Sequence, residues 1–401
     1  MSTSNLYHAY GIKGVQYKST QYEKKSIIYS AEMVYQKIRC PKCSGKNSHF
    51  KGQKKRRFRM TPVGSKKCFL DVILHRLKCV DCGHQWWPRL PFMKGKYQMT
   101  RAFIQFAFDL LSMSTVQDVS RLLGVSWNVI KNIHKMKLKK LYKKIDVKDV
   151  KYISLDEFAI KKGHVYMSAF TDIESGRIIH AVEGRTVDDI RPFLLRLKKE
   201  GKNLKAIAMD MSRPYITAIT ETLPDIDIVF DHFHVTALMN KALDEVRKEQ
   251  QENLNGPESK ILKGQRFLLL KNYKDLEPEF KGRVDAILKI NEPLFKAYVL
   301  KEQFSLFWEQ SSLKEAWIFL DQWISDANET GISKLKKMAK TLDNHRIGLL
   351  NYFKHRINNA AAEGINNKIK TMKRQAYGFR DIEYFKLRLY HLHEQRYAFV
   401  G

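Results

Sequence analysis

Five cysteines fall at positions 40, 43, 68, 79 and 82, and four of them form two Cys-x-x-Cys pairs, Cys40-Pro41-Lys42-Cys43 and Cys79-Val80-Asp81-Cys82. Two thiolates three positions apart on a tight turn chelate one metal ion, and two such knuckles complete the tetrahedral sulfur shell that zinc prefers. The spacing therefore predicts one structural Zn²⁺ held by Cys40, Cys43, Cys79 and Cys82. A disulfide is disfavoured in a reducing compartment, and a redox Cys-x-x-Cys normally comes once rather than as a matched pair. Cys68 reads as a small buried hydrophobe. His49 and His84 read as surface or packing histidines, with substitute ligation as the other reading.

A second chemically able set consists of carboxylates at strand ends. Residues 151–158 (KYISLDEF) read as a buried strand with Asp156 near its end, and His164 to Thr171 and Arg177 to Arg185 follow as the rest of a meander. A helix from about Val187 to Lys199, a strand from Leu204 to Met209 ending in Asp210, a helix from Pro214 to Thr222 and a strand from Asp227 to Phe230 come next. Three strands, helix, strand, helix, strand is the ribonuclease-H-like order. Its first and fourth strands lie side by side, which would bring Asp156 and Asp210 together, and converging carboxylates bind hard divalent cations such as Mg²⁺. Glu157 would point to the opposite side of its strand. A third carboxylate, Glu363, lies on a helix whose apolar stripe is Ile365, Ile369 and Met372 and whose opposing stripe is Glu363, Asn367, Lys370 and Arg374. A solvated, ordinary Glu is the competing reading of that position.

The elements that position these groups sit in an uneven field of charge. The 401 residues carry 72 Lys and Arg against 42 Asp and Glu, a net +30. Segment by segment the net charge is +23 over residues 1–150, +1 over 151–350 and +6 over 351–401. Confinement of the excess to the two ends points to a grip on a polyanion, with steep salt dependence, rather than to solubility; a solvated basic surface is the bland alternative. Between the knuckles Lys51 to Arg59, including Lys54, Lys55, Arg56 and Arg57, reads as a basic loop of a zinc ribbon able to lie along a phosphate backbone. From Thr115 the chain reads as helix, glycine turn at Gly124 and helix. Val116, Val119, Leu122 and Leu123, then Val129, Ile130 and Ile133, are inward, and Trp127, Asn128, Lys131, Asn132 and Lys135 face outward, suited to a major groove. Any two packed helices could give this pattern, but the basic surroundings favour DNA reading. A hydrophobic fraction of 44% is that of a folded protein. No apolar run of about 18 residues and no signal-like start are present, which predicts a soluble intracellular protein with no membrane partner.

The succession of the two knuckles, the helix-turn-helix, Ser154-Leu155-Asp156-Glu157, Met209-Asp210-Met211-Ser212, Asp231-His232-Phe233-His234-Val235, and Ala362-Glu363-Gly364 through Arg374-Gln375-Ala376-Tyr377-Gly378 resembles the ISL-three group of bacterial insertion-sequence transposases, from about Ile38 to Tyr390. The resemblance implies a multidomain α/β chain. A zinc ribbon and a helix-turn-helix domain would precede a ribonuclease-H-like DDE core with a helical insertion. It implies DNA cleavage and strand transfer with two Mg²⁺ ions, Mn²⁺ being a substitute, held by Asp156, Asp210 and Glu363 as catalytic and metal-binding triad, and it favours Glu363 over its neighbours. One ion would activate water or a 3′-hydroxyl while the other stabilises the leaving oxygen. By similarity Asp231 and His234 are auxiliary residues that position DNA near the scissile phosphate; a histidine capping or packing the helix that begins there is the competing reading. The implied partners are double-stranded DNA, both terminal inverted repeats and target, and a second copy of the chain in a dimer or higher assembly on DNA. The implied location is the bacterial cytoplasm, on the nucleoid. The corresponding division is an N-terminal segment 1–37, a zinc ribbon 38–95, a helix-turn-helix domain 96–148, the core's first part 149–239, a helical insertion 240–350 with Trp308, Trp317 and Trp323, and basic C-terminal core helices 351–401, whose Lys370 and Arg374 would hold DNA. The competing functions are a noncatalytic zinc and helix-turn-helix regulator, and a ribonuclease-H-like nuclease without transposition.

Overall fold

The computed structural model describes residues 5–35, 38–93, 97–161, 165–253, 261–358 and 360–394, with the backbone alone for 360–363. The chain divides into two compact units, one running to Leu141 and the other spanning Tyr142–His393.

In the first unit a single turn α1 (Asn5–His8) precedes the antiparallel hairpin of β1 (Val15–Tyr22) and β2 (Ser26–Met33). Strand β2 pairs in parallel with β4 (Lys66–Cys79), which pairs antiparallel with β3 (Ser48–Val63) and with the short β5 (Gln85–Trp86). The sheet order is β1-β2-β4-β3, so the sheet begins well upstream of position 38. Segment 51–59, expected as a basic loop, is the middle of β3. Phe58 and Met60 alternate into a core with Leu70, Val72 and Leu74 while Lys55 and Arg57 take the other face, and that period of two makes a strand once β4 supplies its ladder.

Helices α2 (Arg101–Leu110), α3 (Val116–Leu123) and α4 (Trp127–Leu141) complete the unit. The Thr115 hydroxyl accepts the Asp118 amide to cap α3, and Gly124, at φ 59°, ends it in the left-handed region that a side chain would disfavour. Val116, Val119 and Leu123 pack inward with Ile130, Ile133 and Leu138 of α4. Leu122, expected among them, is 70% exposed, because at 100° per residue it lies off the stripe through 116, 119 and 123.

In the second unit β6 (Tyr152–Lys161), β7 (Val165–Asp172) and β8 (Arg177–Glu183) form an antiparallel meander. Then follow α5 (Val187–Glu200), β9 (Ala206–Met209), α6 (Arg213–Thr222) and β10 (Asp227–Phe230). The sheet order is β10-β9-β6-β7-β8, with β9 parallel to both β6 and β10. Every residue of β9 is buried, as a parallel strand covered on both faces requires. Thr186 and Asp189 form a reciprocal capping box at the start of α5.

After β10 the described chain is helical: α7 (His232–Asn253), α8 (Arg266–Leu270), α9 (Pro278–Ile290), α10 (Glu292–Ser305), α11 (Leu313–Glu329), α12 (Ser333–Asn344), α13 (Arg346–His355), α14 (Ala360–Gln375) and α15 (Ile382–Tyr390). Trp323 is a core residue whose indole N–H donates to the Leu300 carbonyl at 2.9 Å; Trp308 is half-buried beside Phe307, and Trp317 is exposed under Arg346. Helix α13 returns to the sheet, where the Asn351 amide donates to the Ile228 carbonyl at 2.9 Å. There Gly348 lies so close to Phe230 that a Cβ would fall 2.3 Å from its ring. Helix α14 buries Ile365, Ile369 and Met372, the expected stripe, and contacts β6. Among the described residues no helix is long and apolar enough to cross a membrane.

Candidate active site and metal centre

Leu155 of β6 stands opposite Met209 of β9 in the parallel ladder, and the next residue on each strand is an aspartate, Asp156 and Asp210. Asp156 accepts the Glu157 backbone N–H at Oδ1 (2.7 Å) and the Asn366 side-chain amide at Oδ2 (2.6 Å). Asp210 Oδ1 accepts the Ser212 amide at 3.2 Å, where the chain turns into α6. Burial pushes the Asp210 carboxyl above its ordinary value. His234 and the Ser212 amide pull it down, while the charges of Glu157 and Asp156 add to the push. A carboxylate raised by burial and by like charge is one whose ionisation a cation would favour.

Asp231 follows β10 directly. Its amide donates to the Met209 carbonyl at 2.8 Å, the residue is buried, and His234 Nε2 stands 3.8 Å from its Oδ2. The structure thus brings Asp231 and His234 together one helical turn apart, with His234 in the electrostatic field of Asp210.

Glu157 pairs across the ladder with Ser168, and its carboxylate bonds Arg185 at 3.0 Å. Ser168 Oγ lies 2.7 Å from the buried Tyr215 hydroxyl and donates to the Gly184 carbonyl at 2.8 Å. Burial raises the Tyr215 phenol and the Ser168 bond opposes it; Glu157, Asp210 and Asp156 raise it further, so the phenol stays neutral beneath the carboxylates. Neither Tyr215 nor Asn366 stood out in the sequence. An i, i+3 relation to Glu363 was the available signal for Asn366.

Glu363 lies on α14, but its side chain is outside the described residues. The helix is docked on β6 through Asn366 on Asp156 and through the Lys373 ammonium on the Ala159 carbonyl, leaving Lys370 and Arg374 exposed.

In the first unit the sulfurs of Cys40, Cys43, Cys79 and Cys82 lie within 4.8 Å of one another, with Cys40 and Cys82 at 3.6 Å and Cys43 and Cys79 at 3.5 Å. Zn–S bonds of about 2.3 Å in a tetrahedron would set neighbouring sulfurs about 3.8 Å apart. The two knuckles share one backbone pattern. The Cys40 amide donates to the Gly45 carbonyl and the Ser44 amide to the Cys40 carbonyl; likewise Cys79 donates to His84 and Gly83 to Cys79. Ser44 and Gly83 both adopt positive φ, 61° and 67°. The donor set and its spacing are compatible with a zinc site.

The basic candidates divide by what they already touch. Arg57 grips the buried Asp71 bidentately at 2.7 and 2.9 Å, and Lys55 adds a third bond at 2.9 Å. The Arg57 bond first, then Lys55, holds the Asp71 carboxyl below its usual range against burial. Lys54 lies over the Trp87 ring at 3.6 Å, and Arg56 reaches the Met93 sulfur. On α4 Trp127 and Asn128 are exposed and Lys131 and Lys135 half-buried, with the Lys131 ammonium over the Trp127 ring.

A family model for the ISL3-type DDE domain, described as "Transposase", matches residues 153–389, and one described as "Helix-turn-helix domain of transposase family ISL3" matches residues 88–135. The class is therefore a transposase that joins a DNA-binding helix-turn-helix to a DDE domain. The transposase for insertion sequence element IS1001 of Bordetella parapertussis is 31% identical over all of this chain and 98% of its own length. The transposase for insertion sequence element IS1557 of Mycobacterium tuberculosis is 26% identical over 85% of this chain and 82% of its own. The solved Drosophila P element transposase strand transfer complex aligns at 12% identity with a TM-score of 0.36, covering 73% of this chain and 92% of that one. The chain belongs to the ISL3 family of insertion-sequence transposases. Membership implies DNA binding, DNA cleavage and strand transfer with a divalent metal.

Proposed function

We propose that this chain binds the terminal inverted repeats of its own insertion sequence, frees a 3′-hydroxyl at the element end and joins that end to target DNA. Asp156, Asp210 and Glu363 hold the divalent metal in this reading. The observation that carries it is the parallel pairing of β6 and β9, whose last paired residues, Leu155 and Met209, are each followed by an aspartate, with the helix bearing Glu363 docked on the first of them. The strand order β10-β9-β6-β7-β8 supports a ribonuclease-H-like core.

Two Mg²⁺ ions bound there, with Mn²⁺ as a substitute, would supply activation of the attacking hydroxyl and stabilisation of the leaving oxygen. The chain's own groups do the rest. Asp156 and Asp210 present carboxylate oxygens already oriented by backbone amides. Asp231 orients His234 toward the DNA near the scissile phosphate, and Lys370 and Arg374 neutralise neighbouring phosphates. The four cysteines hold one structural Zn²⁺, and the ribbon's Lys54, Lys55, Arg56 and Arg57 and α4's Trp127, Asn128, Lys131 and Lys135 recognise the repeats. Because two element ends are handled together, a dimer or higher assembly forms on DNA, at the bacterial nucleoid.

The test is a labelled terminal-repeat duplex incubated with Mg²⁺ and a target plasmid. Asp156→Ala, Asp210→Ala and Glu363→Ala are each expected to lower end cleavage by a hundredfold or more, of the order seen when a site that stabilises transition-state charge loses one member, while repeat binding stays intact. Undiminished cleavage by any of the three removes that residue from the site. Wild-type cleavage with no joined product makes the chain a nuclease, and repeat binding with no metal-dependent cleavage makes it a regulator.

A further inference from the structure

Asn366 is the one described side chain of α14 that touches a candidate metal-binding carboxylate: its Nδ2 donates to Asp156 Oδ2 at 2.6 Å across 210 positions of sequence. The other oxygen, Oδ1, is held at 2.7 Å by the Glu157 amide, so an N–H donor engages each oxygen of Asp156 and fixes the plane of the carboxylate. Each carboxylate oxygen keeps a second lone pair, which leaves acceptor capacity for a cation. Asn366 also stands three residues after Glu363, on the adjoining face of the same helix, between the buried Ile365 and Ile369 that seat α14. One amide thereby ties the helix that carries the third candidate carboxylate to the strand that carries the first.

We infer that Asn366 is a positioning residue of the metal site, which sets the orientation of Asp156 and the register of the Glu363 helix against it. The inference rests on the proposed reading of Asp156, Asp210 and Glu363 as metal ligands. Partners of this kind lie outside the metal's own ligand shell, and their loss typically lowers metal affinity ten- to a hundredfold.

The experiment titrates the full-length protein with Mn²⁺ alone, reading free Mn²⁺ by electron paramagnetic resonance. Thermal melting and binding to terminal-repeat DNA are measured in parallel. Asn366→Ala and Asn366→Leu, which both remove the donor, are expected to weaken Mn²⁺ binding by about tenfold or more with melting and DNA binding kept. Asn366→Gln, which keeps an amide donor on a longer arm, is expected to recover part of the loss. Mn²⁺ binding as tight as wild type in either donor-free variant overturns the inference. So does a loss of affinity that comes only with a matching loss of thermal stability, which would make Asn366 a packing residue. Asp156→Ala and Asp210→Ala in the same titration separate the two failures. If those bind Mn²⁺ normally, the ligand assignment itself fails; if they lose it while Asn366→Ala does not, only the role of Asn366 fails.

Discussion

His180 carries a titration that has nothing to do with the chemistry. Its ring stacks on Phe193 with centroids 4.1 Å apart and planes 6° from parallel. Burial, with Lys386 and Arg196 adding cationic repulsion, pushes the imidazole from 6.5 down to about 4. The unfolded chain therefore binds a proton that the folded chain refuses between those two values. Stability from this group is fully present above about pH 6.5 and is lost as the pH falls toward 4. At about 1.4 kcal/mol per pH unit the loss reaches up to about 3 kcal/mol. Urea unfolding of wild type and His180→Phe from pH 7 to pH 4.5 is expected to show a steeper decline for wild type; parallel curves would remove His180 as the cause. The same scale separates the basic residues. Lys55 and Arg57, a DNA-facing pair by sequence, also neutralise the buried Asp71, and no local pattern announces that a distant strand supplies a buried acid.

At the scale of elements, the cysteine knuckles flank the long β3–β4 hairpin: Cys43 precedes β3 by a few residues and Cys79 is the last residue of β4. A metal bridging the two knuckles closes the open end of that hairpin and adds binding free energy to folding. One zinc per chain by elemental analysis is expected. Its removal by chelator, or a Cys79→Ser substitution, is expected to lower the melting temperature of the first unit by about 5 °C or more, taking a loss of a few kcal/mol on a domain of roughly 140 residues. An unchanged melt with no zinc bound would reduce the cluster to packed thiols. The strands of the meander, β9, β10 and the helices after them were legible in sequence because hydrophobic period and turn residues are local signals. The elements from β6 to β10 accordingly lie within a few residues of the expected bounds. Segment 51–59 escaped, since its charge density hid a period of two that only the core beneath Phe58 and Met60 makes visible.

For the whole molecule, charge and architecture divide together. The unit ending at Leu141 contains the cysteine cluster and the helix-turn-helix and takes in nearly all of the +23 segment, while the unit from Tyr142 carries the carboxylate edge on a nearly neutral stretch. A DNA-gripping part that neutralises six or more phosphates loses about a thousandfold in affinity between 50 and 200 mM salt. That slope is the expected behaviour of the full chain on terminal-repeat duplex, and Asp156→Ala should leave it unchanged. A salt-insensitive binding constant would contradict the assignment of the basic surface to DNA.

The sequence by itself determined the sulfur quartet, the two basic ends, the order of strands and helices from β6 to β10, and the helix-turn-helix, because each is written in spacing or composition within a few tens of residues. Only the tertiary structure decided that the ribbon's sheet recruits Ser26–Met33 as a parallel neighbour of Lys66–Cys79, that Leu122 lies outside its expected core, that the Tyr215 hydroxyl meets Ser168, and that Asn366 meets Asp156. Those are contacts between segments tens to hundreds of positions apart. A local period says which face of an element is apolar, but not which distant donor a polar group on that element will meet.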